Sequence, residues 1–211
     1  HIATLALKIH NKMTKKLAIG IDIGGTLTKV GFVDREGEMY ANLDFTTRGY
    51  FRVDDYVSML ASKIQYLEKQ ISFDFEMMGL GIGAPNANYY RGTIEYAANL
   101  DWKGVIPFVN KVKTHFNVPV HMTNDANAAA IGEMIYGNAK KMRDFIVITL
   151  GTGLGSGIYA NGELIYGHDA MAGELGHISI DKEGRLDGLG IKGGLEAYVS
   201  STGLKRTIFE L

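Results

Sequence analysis

The sequence predicts a two-lobed α/β protein with a cleft between related halves, and three observations lead there. First, KKLAIGIDIGGTLTKVGFVDREGEMY at 15–40 and DFIVITLGTGLGSGIYANGELIY at 144–166 share one plan. Each runs through an apolar strand, a Gly/Thr turn, a second apolar strand, a polar Gly turn and a third short strand. Second, apolar residues at helical spacing separate further strand-length apolar runs, the mark of a mixed α/β chain. Third, there are 27 glycines against 3 prolines, many of the glycines in the turns of those two segments. Glycine gathers where backbone turns with positive φ or comes close to a ligand. A large unit used twice indicates duplication rather than a solenoid array.

The elements follow in order. Strands are predicted over 17–22, 27–33 and 38–43, forming an antiparallel meander, with Asp34 to Gly37 as the turn between the last two. Asp54 and Asp55 read as the N-cap of a helix whose apolar positions Tyr56, Val57, Leu60, Ile64, Leu67 and Ile71 recur at helical spacing. A buried strand over 77–82 runs into GAPNAN, a helix is predicted over 105–116, and VPVHMTN reads as a strand. That strand leads directly into the Ala-rich helix DANAAAIGEMIYG and so delivers Asn124 and Asp125 to a helix N-terminus. The meander then repeats, with Asn161-Gly162 as a two-residue hairpin turn. The predicted divisions are a leader of upstream or added sequence at 1–16, a first lobe at 17–118 and the start of a second lobe at 119–211.

Composition narrows the function classes. A chain of 211 residues with 46% hydrophobic content can bury a substantial core. The net charge of −1, with no basic run beyond Lys15-Lys16 and Lys140-Lys141, supplies no field for a nucleic-acid backbone. No nucleic-acid or membrane partner is expected, since the apolar runs are strand-length, far short of a membrane span. The chain has no cysteine, which rules out disulfides and thiolate metal sites and fits a cytoplasmic location.

A Gly-Gly-Thr or Gly-Thr-Gly turn between strands exposes successive backbone N–H groups, and such concave arrays bind phosphate. Gly24, Gly25 and Thr26 form one turn and Gly151, Thr152 and Gly153 the other. Either alone reads first as a tight turn; two of them facing across a cleft would hold a polyphosphate from both sides. Asp22, just before the first turn, is placed to hold Mg²⁺ against that phosphate. There is no G-x-x-x-x-G-K-[ST], and LGTGLGSG has its glycines at every second position rather than at the G-x-G-x-x-G spacing, which disfavours P-loop and Rossmann sites. Asp125, at a strand end and a helix N-terminus, is the candidate general base, although Asn124 or Asp125 can equally be a helix cap.

The motifs DIGGT at 22–26, NDANAAA at 124–130, LGTGLGSG at 150–157, AGELGH at 172–177 and GGLEAY at 193–198 occur in one order along the chain. On these the sequence resembles the ROK family (repressors, open reading frames, kinases) of the sugar kinase, actin and Hsp70 superfamily. The resemblance implies a duplicated ribonuclease-H-like, actin-like ATPase fold with mixed sheets and a central cleft, and ATP-dependent phosphorylation of a hexose or N-acetylhexosamine hydroxyl. ATP is then the co-substrate, Mg²⁺ the cofactor, Asp125 the base and Asn124 a sugar contact. Glu174, His177 and Glu196 become sugar-hydroxyl ligands and Asn99 a further one. A homodimer is implied as well.

Three departures matter. Many members bind zinc through the histidine equivalent to His177 and three cysteines, but the cysteine positions here hold Asp187, Leu189 and Gly194, so no zinc is expected and the loop is left to packing. The family continues past the position of Leu211 into the segment that finishes the second lobe and forms most of the adenine pocket. Finally, about sixteen residues precede the first strand, too few for the winged helix-turn-helix of the repressor branch. The rival to a kinase is a non-catalytic sugar sensor or regulator.

Overall fold

The computed structural model describes residues 14–188 and 190–210. The first half is built on a five-stranded sheet of β1 (Lys15–Ile23), β2 (Leu27–Val33), β3 (Met39–Thr46), β4 (Phe75–Gly83) and β8 (Val120–Thr123), in spatial order β3-β2-β1-β4-β8. β1 pairs antiparallel with β2 and β2 with β3, whereas β4 joins β1 in parallel and β8 joins β4 in parallel. The second meander, β9 (Phe145–Leu150), β10 (Leu154–Ala160) and β11 (Glu163–Leu164), is antiparallel in the order β11-β10-β9. This is the arrangement of β3-β2-β1 again, so the two similar stretches of sequence do form two similar hairpin sheets. A third small sheet of β5 (Ala87–Asn88), β6 (Thr93–Glu95) and β7 (Val105–Ile106) lies between them in the chain.

Several predicted boundaries move, each for a physical reason. β1 begins at Lys15, so the expected leader overlaps the first strand by two residues; its other part, 1–13, lies outside the described residues. The expected division at 118/119 falls inside the first sheet, because β8 pairs with β4 through Leu80–Val120 and Ile82–Met122. The helix expected over 105–116 divides into β7 and a shorter α2 (Phe108–Lys113), with Pro107 between them. The residue before proline is driven out of the helical region, so Ile106 stays extended and pairs with Ile94. α1 (Val53–Glu68) is capped by Arg52 without a side-chain bond, and Asp54 and Asp55 lie in its first turn, where negative charge suits the helix dipole. Asp54 also pairs with Lys111, tying α1 to α2.

The main core lies between α1, α2 and the first sheet. Tyr56, Val57, Leu60, Ile64 and Leu67 of α1 are buried against Phe32, Phe45, Trp102 and Phe108. Each large apolar side chain removed from water here contributes about 1.5–3 kcal/mol. Tyr56 stands at the centre: its ring is 4.6 Å from that of Trp102, and its hydroxyl lies 2.6 Å from Thr28 Oγ1, itself 2.8 Å from Thr47 Oγ1. Burial pushes the Tyr56 phenol far above its ordinary range.

α3 (Asp125–Ile135) follows β8 and packs against β9, β10 and β4, joining the two halves. Small residues make this contact possible. Ala126 and Ala130, one helical turn apart, face Gly155 and Gly157 of β10, and a Cβ on Gly157 would stand 2.6 Å from the Ala130 methyl. The glycines at alternate positions of LGSG thus include two on one face of β10 that admit the helix. On the far side of β9, Ile146, Ile148 and Leu150 are exposed. Among the described residues no helix is long and apolar enough to cross a membrane.

Tyr56→Phe is expected to cost about 1 kcal/mol, one hydrogen bond with the ring retained, and Tyr56→Ala about 3–5 kcal/mol. Urea unfolding of both variants checks the contrast; a Tyr56→Ala cost no larger than that of Tyr56→Phe would contradict this packing.

Candidate functional site

The sharpest local feature is the junction between β8 and α3. Asn124 is extended, with φ −69° and ψ 160°, and its Oδ1 accepts the N–H of Asn127 at 2.7 Å. Asn124 is therefore the helix cap. Asp125, the first helical residue, accepts the N–H of Ala126 at 2.9 Å through Oδ1 and lines the cavity in front of the junction.

That cavity, of about 480 Å³, collects residues from distant parts of the chain. Gly24 and Gly25 of the first turn and Gly151, Thr152 and Gly153 of the second both line it, together with Asn99, Asn124, Asp125, Glu174, His177 and Glu196. A larger open cavity of about 1120 Å³ adjoins it over the first sheet and contains Asp22; Asp125 and Thr149 border both. Thr26 borders neither. Thr149, Asn86 and Ser156 also line the smaller cavity; the sequence does not single out Thr149, and names Asn86 and Ser156 only within GAPNAN and LGTGLGSG.

The two turns are built differently. In the first, the N–H of Gly24 donates to the Leu27 carbonyl at 2.9 Å, Arg48 Nε donates to the Gly25 carbonyl at 3.2 Å, and Asn99 lies against Gly25. In the second, α5 (Ser201–Glu210) holds the loop from behind, with the Ser201 N–H on the Gly151 carbonyl at 2.9 Å and the Thr202 hydroxyl on the Thr152 carbonyl at 3.3 Å. Glu196, opening α4 (Glu196–Val199), accepts the N–H of Leu154 through Oε2 at 2.8 Å. A Cβ at Gly153 would collide with that same oxygen, so a side chain there would displace the Glu196 carboxylate from the turn. One oxygen of Glu196 therefore braces the second turn, an attachment that sequence spacing does not reveal.

Glu174 and His177 stand at a 3-10 turn over Leu175–His177, pressed against β10: Ser156 donates its hydroxyl to the Gly173 carbonyl. His177 Nε2 is 3.9 Å from Glu174 Oε2, and its Nδ1 is 3.1 Å from Asp187 Oδ2. The following loop is held by more than packing. Arg185 stacks 5.0 Å from the Tyr198 ring, donates to Thr207 Oγ1 at 2.7 Å and to Glu210 Oε2 at 2.6 Å, and accepts the Gly193 N–H through its carbonyl at 2.7 Å.

The site is acidic. Burial raises the Glu174 carboxyl above its ordinary range; His177 opposes the rise, while Asp125 and Glu196 add to it. Asp22 is also raised, by the loss of water along the cavity wall, with Lys29 opposing and Asp125 adding. Asp22 and Glu174 line adjoining cavities and share Asp125 as a neighbour that raises both, and carboxyls shifted in this way by burial and a specific charge mark a candidate functional site. Among the described residues no group of three or more His, Asp or Glu side chains is placed to hold a metal. Asp22 nevertheless suits Mg²⁺, which is commonly held by one or two carboxylates together with substrate phosphates and water.

Strand order 3-2-1-4-8, a second copy of its hairpin part and a shared cavity at the helix N-terminus between them define an actin-like ATPase fold of the sugar-kinase kind. The family model "ROK family" matches residues 18–210, and the chain belongs to that family. It is 39% identical over 191 residues to a glucokinase of Streptomyces coelicolor, covering 90% of this chain and 58% of that protein. It is 32% identical over 202 residues to a xylose repressor of Caldicellulosiruptor bescii, covering 92% and 49%. A crystal structure of a ROK family glucokinase from Streptomyces griseus in complex with glucose and AMPPNP superposes with a TM-score of 0.76 at 36% identity, over 90% of this chain and 59% of that one. The chain thus spans about three fifths of the length of the glucokinases it matches.

The raised Glu174 carboxyl has a consequence for stability. Its ionisation costs more in the folded chain than in the unfolded one, so stability falls as pH rises from below the unfolded value of about 4.5 through the folded value, and the deficit persists at neutral pH. Glu174→Gln is expected to melt higher than the wild type at pH 7, the difference closing below about pH 4.5. Thermal unfolding against pH checks this; a Gln variant that melts lower at pH 7 would contradict it.

Proposed function

We propose that this chain carries the sugar-contacting and phosphate-contacting part of an ATP-dependent kinase acting on a hexose or N-acetylhexosamine hydroxyl. The observation that carries the reading is the convergence in one cavity of two Gly/Thr turns, the Asn124-Asp125 junction and the Glu174, His177 and Glu196 group. The glucose and AMPPNP in the Streptomyces griseus glucokinase support the same pairing of ligands.

In this reading Asn124 and Asn99 orient the sugar, and Glu174 and His177 take its hydroxyls, since carboxylates, amides and imidazoles match paired hydroxyl donors and acceptors. Asp125 accepts the proton of the attacking hydroxyl as its oxygen bonds to the γ-phosphorus and the bond from that phosphorus to the β–γ bridging oxygen breaks, releasing ADP. The backbone N–H groups of Gly25, Thr152 and Gly153 face the phosphates, while those of Gly24 and Gly151 close their own turns on the Leu27 and Gly153 carbonyls. Asp22 is the residue that would hold Mg²⁺, whose chemistry there is to neutralise charge on the phosphate oxygens. Closing the cavity over sugar removes water and limits idle ATP hydrolysis.

A second reading, a sugar-binding regulator without transfer, is favoured by the likeness to the Caldicellulosiruptor bescii xylose repressor over 92% of this chain. ADP release from Mg-ATP with a panel of hexoses and N-acetylhexosamines, against a sugar-free blank, separates the two. The kinase reading expects sugar-dependent release that falls by about 10²–10⁴-fold in Asp125→Asn with sugar affinity retained. Release that is unchanged in Asp125→Asn would sink the role of Asp125, and calorimetric sugar binding with no release would favour the regulator.

A further inference from the structure

The ROK resemblance brings with it a zinc ion beside His177, and the residues present do not fit one. A structural zinc takes four ligating side chains. Gly194 has no side chain, and the leucine at position 189, itself outside the described residues, has no ligating atom. Asp187 stands in the vacated position instead. Its side chain is fully shielded from solvent, Oδ2 lies 3.1 Å from His177 Nδ1, and Oδ1 accepts the N–H of Ile191 at 2.8 Å. Its own N–H donates to the Ile191 carbonyl at 2.9 Å, closing the loop on itself. Gly194 makes the room: a Cβ there would stand 2.9 Å from Asp187 Oδ2.

We infer that Asp187 replaces the metal as the positioning residue of His177, fixing the imidazole as its Nδ1–H tautomer and leaving the Nε2 lone pair as a hydrogen-bond acceptor in the cavity. The reasoning is one of proton count. An ionised carboxylate accepts hydrogen bonds and donates none, so the proton on the Asp187 side belongs to His177 Nδ1. The neutral imidazole has one N–H, so in that form Nε2 is an acceptor, whereas the imidazolium that opposes the rise of the Glu174 carboxyl donates from both nitrogens. Glu174 Oε2, 3.9 Å from Nε2, is a second acceptor beside it. Two adjacent acceptors select a ligand that presents adjacent O–H donors and discriminate against one whose matching group is an ether, a carbonyl or hydrogen, because a buried acceptor left unpaired is costly. The assignment of a sugar to this pair rests on the function proposed above; the tautomer does not.

Asp187→Asn is the informative variant, since its side chain keeps one oxygen. That oxygen stays on the Ile191 N–H, which needs an acceptor, and the amide NH₂ turns toward Nδ1 and can only donate. His177 is thereby driven to the Nε2–H tautomer while the loop keeps its bonds. ¹⁵N spectra of histidine-labelled, sugar-free protein at mildly alkaline pH read the tautomer directly. The expected result is Nδ1–H in the wild type and Nε2–H in Asp187→Asn, with similar unfolding midpoints and a loss of about tenfold or more in calorimetric glucose affinity. An Nε2–H wild type overturns the inference, as does an unchanged tautomer in the variant or stoichiometric zinc by elemental analysis. Should Asp187→Asn fail to fold, the wild-type tautomer alone decides. An inverted tautomer with unchanged glucose affinity overturns the coupling to sugar. A wild type with the Nδ1–H tautomer and no hexose affinity overturns the sugar reading and upholds the hold of Asp187 on His177.

Discussion

The hydrogen bond from the Asn127 N–H to Asn124 Oδ1 fixes the point from which the rest of the site is laid out. It ends β8 and starts α3 within one residue, so Asp125 is displayed at the end of a parallel strand instead of being consumed as the cap. α3 then reaches the second sheet because Ala126 and Ala130 can press against Gly155 and Gly157. The capped junction and the small-residue contact together set the position of the second Gly/Thr turn relative to the first. Loss of either would move the two turns independently while leaving the large core around Tyr56 intact.

The distribution of stability follows from this division. The first half has a continuous apolar core between α1, α2 and the sheet, whereas the second half relies on glycine-alanine contacts and on hydrogen bonds among Glu196, Arg185, Asp187 and α5. Carboxylates line the two adjoining cavities, and burial together with the charge of Asp125 raises Asp22 and Glu174. A fold under no demand but stability would not gather these groups. Their gathering is the ordinary compromise between stability and a functional site.

Much of the architecture was legible because it rests on local signals. The two meanders announced themselves through turn chemistry, and Asn161 and Gly162 both adopt positive φ as the hairpin requires. The helical spacing from Tyr56 to Leu67 marked the buried face of α1. What was not legible depended on distant partners. The pairing of β8 with β4 decides which sheet Val120 to Thr123 joins, and no property of those four residues reports it. Glu196 enters from the family resemblance as a sugar-hydroxyl ligand, and nothing in the sequence tells that one of its oxygens braces Leu154, forty-two positions away. Asp187 reads as a lost cysteine and is instead the buried partner of His177. Pro107 was visible, and its effect on Ile106 follows from the steric rule for the residue before proline, which outweighs the helical pattern around it.

The central claim is that the Asn124-Asp125 junction, the turn at 151–153 and the segment 172–177 form one binding site. Amide hydrogen exchange with and without saturating glucose tests it most directly, since exchange reports local opening along the chain. Slowed exchange appearing together in all three segments, with the β1–β3 meander core unchanged, is the predicted result. Glucose that slows exchange in only one of them, or in a different part of the chain, would contradict the claim.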